Sequence, residues 1–477
     1  MRKFLARFRQ APMFSTIYII GAALSVASVM LVAIFLHVKT SNIYPEYSRD
    51  RILYNNEIGL DFGHSDARIT VGYHNAYSPK FASTIIDSIS DIANVALERY
   101  RASANVYVDG KKYENVIIRS ATPDIFSIYN YEFIEGKPFP DSQESIAVIS
   151  DKLARRIFGS ERDVVGRKFK TSVLSTGYFG RIDANNAEFT VYGVFREGSR
   201  LLPLSFAEII YPVNLNLLLA QETENNHTYG EYDIIGDLKM TILPKTGVSK
   251  EEVSSKIDEV IARQATRTIT IQKPILEKKD GVTRIIGSEL ANLQPGEYTL
   301  TNGTYPRSSL EMMFGDQSFP GLYAEFDLKG FTKLYGLLVL TLLLVPALNL
   351  SSLISGNMDS KMNEMGIRKA FGARNSTLLR QVINENLWLT GCGAILGVIL
   401  AWIGVLLWKD WLFEGVAGLA AGELSASDVM LDPAMLFAPK VFIAAVIICV
   451  TLNLLSSLIP SWWALRRPAI DSIKSKS

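Results

Sequence analysis

The chain has 477 residues, with 49 Lys and Arg against 48 Asp and Glu and 48% apolar residues. This balance, with a mildly positive mean hydropathy, describes a membrane protein with a large soluble part, and it offers no electrostatic footprint for nucleic acid or for a strongly acidic substrate. Cys392 and Cys449 both fall in apolar runs, so they read as small apolar residues and no disulfide framework is available.

The N-terminal segment, residues 1–14, starts with a short basic amphipathic stretch, and the chain then runs apolar and uncharged from Ile17 to Leu36. That run is too long for the apolar region of a cleaved signal peptide. It predicts a retained first span over residues 15–38, with Arg2, Lys3, Arg7 and Arg9 keeping the N-terminus inside. Three more runs, Leu334–Ser355, Leu387–Trp408 and Val441–Ser461, are each long enough to cross a hydrocarbon core of about 30 Å as a helix. The loop 356–386 carries Lys361, Arg368, Lys369, Arg374 and Arg380, and the tail 462–477 carries Arg466, Arg467, Lys474 and Lys476. Between them the loop 409–440 carries Asp410, Glu414, Glu423, Asp428 and Asp432. Short loops rich in Lys and Arg stay cytoplasmic, so four spans with both termini inside are expected, and residues 39–331 lie outside.

This outer segment of about 290 residues is long enough for more than one compact subdomain. Arg51–Tyr54 reads as a strand, Phe81–Ile92 as an amphipathic helix, and Asn105–Tyr113 as a hairpin turning on Asp109-Gly110. Ser145–Ile149 reads as a strand running into a helix capped near Ser150 or Asp151 and stopped at Gly159, and Glu188–Phe195 as another strand. Leu238–Leu243 and a helix over Ser249–Arg263 repeat the strand-then-helix order, which predicts a mixed sheet with covering helices.

No residue set points to catalysis. The chain lacks G-x-x-x-x-G-K-[ST], so it does not cradle nucleotide phosphates in the P-loop manner, and energy is expected from another polypeptide. His64 and His74 are separated by loop-like sequence without a Cys or paired-carboxylate context, so they read as surface residues rather than a metal site. Within the spans, Gly393, Gly397, Ala401 and Gly404 form a small-residue face that lets a helix backbone approach closely, within the same helix group or across a dimer. Pro346, Asn349 and Asn453 are the few polar or bending positions, and they do not make a solute pathway.

The most informative stretch is Asn363–Ala373, between the second and third expected spans. Met362, Met365, Ile367, Ala370 and Phe371 recur at roughly helical spacing and Gly372 is placed as a left-handed stop, so a short basic amphipathic helix is expected on the cytoplasmic side. Its apolar side has two candidate burial sites: the lipid headgroup layer or the protein's own helices, and a groove on a cytoplasmic partner.

Glu364-Met-Gly-Ile-Arg-Lys-Ala-Phe-Gly-Ala373, followed by Leu378, Gln381, Glu385 and a Gly-rich span, resembles the signature of the MacB/FtsX superfamily of ABC-type permeases. The resemblance continues outside the membrane through Ser120–Phe126, Phe133–Phe139, Ile146–Ser150, Ala154–Gly159, Val165-Gly166 and Phe189–Phe195. It implies an α+β membrane protein: four transmembrane helices with a large extracytoplasmic mixed α/β domain between helices 1 and 2. That domain would have a porter-like part and an inserted β-rich part, called the Sabre domain in MacB, at about Ser120–Gly230. The resemblance also implies that Glu364, Met365, Gly366, Ile367, Arg368, Lys369, Phe371 and Gly372 form a coupling helix that docks on a separate ATPase subunit, which binds the ATP and Mg. Ile367 and Phe371 would fill an apolar groove, Arg368 and Lys369 would meet its rim, and Glu364 would cap the helix or pair with a partner cation. The expected setting is a bacterial inner membrane, with a second copy or a related permease chain as partner. Three outputs are implied: export of peptides or antibiotics through a periplasmic adaptor and outer-membrane duct, release of lipoproteins, or control of cell-wall hydrolases. A receptor or scaffold without an ATPase is the reading of a different class.

Overall fold

The computed structural model describes residues 12–64, 70–99, 101–140, 145–173, 186–215, 218–219, 234–279, 282–302, 306–314, 367–368 and 371–417, with isolated positions at 329–341 and 439–455. The chain divides into two units, Met1–Lys39 with Asp327–Gly415 and Leu431–Ser477, and Thr40–Phe326 with Val416–Met430.

In the first unit, α1 spans Pro12–Thr40. The second unit begins with β1 (Leu53–Asn55), β2 (Ile58–His64), β3 (Thr70–Tyr77), α2 (Pro79–Ile89), β4 (Ala93–Glu98), β5 (Ala102–Val108) and β6 (Lys111–Ala121). It continues with α3 (Ile125–Ile128), β7 (Phe133–Gly136), β8 (Ile146–Ser150), α4 (Asp151–Phe158), β9 (Lys168–Val173), β10 (Glu188–Phe195) and β11 (Ile209–Pro212). It closes with β12 (Ile235–Gly236), β13 (Lys239–Pro244), α5 (Lys250–Gln264), β14 (Ile269–Lys279), β15 (Val282–Leu293), β16 (Thr299–Thr301), β17 (Arg307–Ser308) and α6 (Ser309–Phe314). Back in the first unit, α7 covers Asn375–Ala417.

Local sequence signals set many of these boundaries. Ser78 accepts a hydrogen bond from the Phe81 amide at 3.1 Å and Pro79 opens α2, while Phe81, Ala82, Ile85 and Ile89 bury one face. Ser150 caps α4 through the Leu153 amide, and Gly159 ends it at φ 80°, a left-handed conformation that glycine adopts without strain. Ser249 caps α5 in the same way, with Glu251 and Glu252 in the first turn. Asp109 (φ 49°) and Gly110 (φ 78°) make the two-residue turn between β5 and β6.

The main sheet has 11 strands, ordered β11-β8-β10-β9-β5-β6-β4-β13-β1-β17, with β7 added on β10. An extra parallel pairing of β11 with β6 closes the ring β6-β5-β9-β10-β8-β11. That ring encloses Val106, Ile118, Ile149, Leu153, Phe169, Phe189 and Ile209 in one apolar core. Burial of each such side chain contributes about 1.5–3 kcal/mol. A second core joins α2 and α5 to β1, β4 and β13 through Phe81, Ile85, Leu97, Ile242, Val253 and Ile257.

Among the described residues the closed ring runs from Ala102 in β5 to Pro212 in β11, so the expected insert start at Ser120 falls near the end of β6, and residues 220–233, around its expected end at Gly230, lie outside the described residues. The stretch from His64 to His74 was expected to be loop-like, but β2 and β3 form an antiparallel pair in which His64 lies opposite Thr70 and His74 opposite Gly59. Sequence reading also misses the β14–β15 ribbon, which pairs from Ile269↔Leu293 to Lys279↔Val282 and joins no other strand among the described residues. Of the expected spans Leu334–Ser355 and Val441–Ser461, positions 336, 337, 340 and 341 and positions 442–444, 446–448, 450, 451 and 455 are described, all of them helical, and the rest lie outside the described residues.

Candidate coupling site

Of the stretch Asn363–Ala373, the described residues are Ile367, Arg368 and Phe371–Ala373; Glu364, Met365, Gly366 and Lys369 lie outside them. The Phe371 amide donates to the Ile367 carbonyl at 3.1 Å, one helical turn. Gly372 takes φ 88°, and the Ala373 amide reaches back to the Arg368 carbonyl at 3.0 Å. Together these make the left-handed termination in which the residue after the glycine bonds back across the last turn. The stop leaves Ile367 53% exposed and Phe371 89% exposed, four residues apart and so on one helix face. The Arg368 guanidinium donates to Gln381 Oε1 at 3.0 Å, tying the segment to the first turns of α7.

Two described helices, Ser15–Val38 and Ser376–Leu407, are long and apolar enough to cross a membrane. The small-residue face of α7 meets α1 of the same chain. A Cβ built on Gly393 would fall 2.6 Å from Ala22 Cβ, and one on Gly397 would fall 2.6 Å from the Ala23 carbonyl and 2.6 Å from Val26 Cβ. Ala401 is fully buried further along the same face. The Tyr18 hydroxyl shares a buried 2.9 Å hydrogen bond with Thr390 Oγ1, a link that sequence reading missed because neither residue stands out from its apolar run. Gly397→Leu is therefore expected to push the helices apart and destabilise the full chain by about 1–3 kcal/mol, read as a lower melting temperature in detergent. Gly391, whose Cβ position is open, should tolerate the same change.

Among the described residues, no group of three or more His, Cys, Asp or Glu is placed to hold a metal ion. The acidic groups that are buried serve structural ties. Glu98 pairs with Arg119 at 3.1 Å and accepts from Thr241 Oγ1. Glu208 accepts from the Ile117 amide at 2.9 Å beside Arg156 and Arg200, and burial holds its carboxyl above the usual range.

The family model described as MacB-like periplasmic core domain matches residues 15–260, more than half of the chain, and the one described as FtsX-like permease C-terminal matches residues 336–469. Among solved structures, the chain is similar to the periplasmic region of MacB from Actinobacillus actinomycetemcomitans, at 13% identity, covering 44% of this chain and 85% of that one with a TM-score of 0.28. It is also similar to a domain of a putative permease protein from Porphyromonas gingivalis, at 17% identity, covering 61% and 98% with a TM-score of 0.32. The extracellular domain of the noncanonic ABC-type transporter YknZ from Gram-positive bacteria aligns at 14% identity, covering 44% and 96% with a TM-score of 0.27. Comparison with curated proteins gives no match.

Proposed function

The chain belongs to the MacB/FtsX family of ABC transporter permeases, and from that premise we propose that it is a lever: it transmits the nucleotide-driven motion of a separate cytoplasmic ATPase across the membrane to its outer domain. The observation that carries this reading is the pair Ile367 and Phe371, held out on one face of a helix end that Gly372 terminates. An apolar pair at i and i+4 is the anchor set by which a helix seats in a groove. Arg368, Lys369, Arg374 and Arg380 around it favour the cytoplasmic side.

In this reading two permease chains act with two ATPase chains in a bacterial inner membrane, with both termini inside, and ATP and Mg bind on the ATPase. Glu364 to Gly372 seat on that partner, and spans one and two pass the motion to the outer domain. The preferred output is export of peptides, antibiotics or similar compounds from the periplasm, with an adaptor and outer-membrane duct as further partners. Lipoprotein release is the alternative, because it shares the four-span layout.

Two experiments test the lever. A tagged full-length chain purified from its native membrane should bring down an ATPase; an intact chain that purifies without one favours a scaffold. In a variant with Cys392 and Cys449 replaced, a single cysteine at Ala373 should react with a membrane-impermeant thiol reagent only from the inner face. Labelling from outside overturns the proposal.

A further inference from the structure

The strand that follows α1 and the strand that leads back toward the second expected span lie side by side at one edge of the main sheet. β1 and β17 pair at just Leu53↔Ser308 and Tyr54↔Arg307, and a ladder that short holds little by itself. Buried hydroxyl bonds reinforce it: the Tyr129 hydroxyl donates to that of Tyr54 at 3.1 Å, and Ser309 Oγ crosses from the returning segment to donate to the Arg49 carbonyl at 3.1 Å. Tyr129, Tyr54, Arg49 and Ser309 are each at most 3% exposed.

A hydroxyl has one proton to give: Ser309 gives its proton to the Arg49 carbonyl, and Tyr129 gives its own to Tyr54, the nearer of its two acceptors. Burial keeps both phenols protonated by raising them well above the ordinary tyrosine value. Beyond Ser309, Glu311 receives Lys250 at 2.6 Å and the Ser308 amide at 2.7 Å, securing the next turn.

We propose that Tyr54, Ser309 and Tyr129 form a latch that makes the outgoing segment 49–55 and the returning segment 307–314 one cooperative unit. For its functional sense this rests on the lever reading: latched, both spans act on a single body rather than on two strands that can part. The test is hydrogen exchange, read by mass spectrometry, on the full-length chain in lipid nanodiscs. In the unaltered protein the two segments should open together, as one cooperative unit. Tyr54→Phe and Ser309→Ala each remove one oxygen with little change of shape. Each should raise exchange about tenfold in both segments while leaving the β5–β6 hairpin unchanged. A rise confined to the segment that carries the substitution, or no rise in either variant, overturns the latch. The measurement needs no ATPase, so failure to find a partner ATPase would sink the lever and leave the exchange result to decide the latch.

Discussion

A Phe371→Asp chain is expected to fold and insert normally yet purify without its ATPase, the affinity between the two falling by about 100-fold or more. The folded state gives no reason for damage, because the Phe371 side chain is 89% exposed and the left-handed turn after it is made by Gly372. Surface substitutions of this kind usually change stability by no more than about 0.5 kcal/mol. The interface argument runs the other way. An aromatic anchor at the centre of a docking surface commonly accounts for at least about 2 kcal/mol, and placing a carboxylate in the vacated apolar groove adds an unpaired buried charge. Ile367→Asp should act in the same direction with a smaller effect, since Ile367 is already half covered. Arg368→Ala is expected to cost less again, because Arg368 is occupied by Gln381 and serves chiefly to hold the segment against α7. The measurement is co-purification of the ATPase with each tagged variant, followed by titration of purified ATPase onto permease in nanodiscs. Undiminished binding by Phe371→Asp would remove the observation on which the functional reading stands.

How far such a site can be read in advance depends on whether its determinants are local. Gly372 is legible as a stop, because only the left-handed region ends a helix that way and glycine is the residue that enters it without strain. Ser150, Gly159, Ser249 and the Asp109-Gly110 turn are legible for similar reasons: each acts on backbone within a few residues of itself. The small-residue face of α7 is visible as a pattern, but its partner is not, since Gly393 and Gly397 would suit α1 or a second copy equally well until the close approach to Ala22, Ala23 and Val26 is seen. The closed ring is harder still. It depends on β11 lying parallel to β6, a long-range pairing with no mark in either strand. The β14–β15 ribbon did carry a signal, an Asp280-Gly281 step between β-branched runs, but Pro274 and the surrounding Lys and Glu residues obscured it. Glu46 and Arg49 show the limit of pattern. Three residues apart in a polar segment, they read as an ordinary surface pair, and only the folded chain shows them enclosed.

Removing the Glu46 carboxylate should therefore be among the most damaging single changes outside the membrane: Glu46→Ala is expected to destabilise the outer unit by about 3–5 kcal/mol. Glu46 Oε2 lies 3.0 Å from Arg49 Nε, and their side chains are 0% and 1% exposed. Truncating the acid takes an ion partner from a buried guanidinium, and the loss of one partner of a buried pair costs about that much. The pair is not itself a large source of stability. Its contact is an ion contact without a well-aligned hydrogen bond, as neither Glu46 oxygen nor Arg49 Nε meets the geometry of one. The double variant Glu46→Leu, Arg49→Met should consequently recover most of the loss, because it removes both charges and keeps much of the volume. Thermal melts of the full chain in detergent should show a drop of roughly 10 °C for Glu46→Ala and a near-native value for the double variant. If Glu46→Ala melts like the unaltered chain, the pair is hydrated and the enclosed geometry is wrong. If the double variant melts as low as the single one, the damage comes from lost packing and not from the lost ion contact.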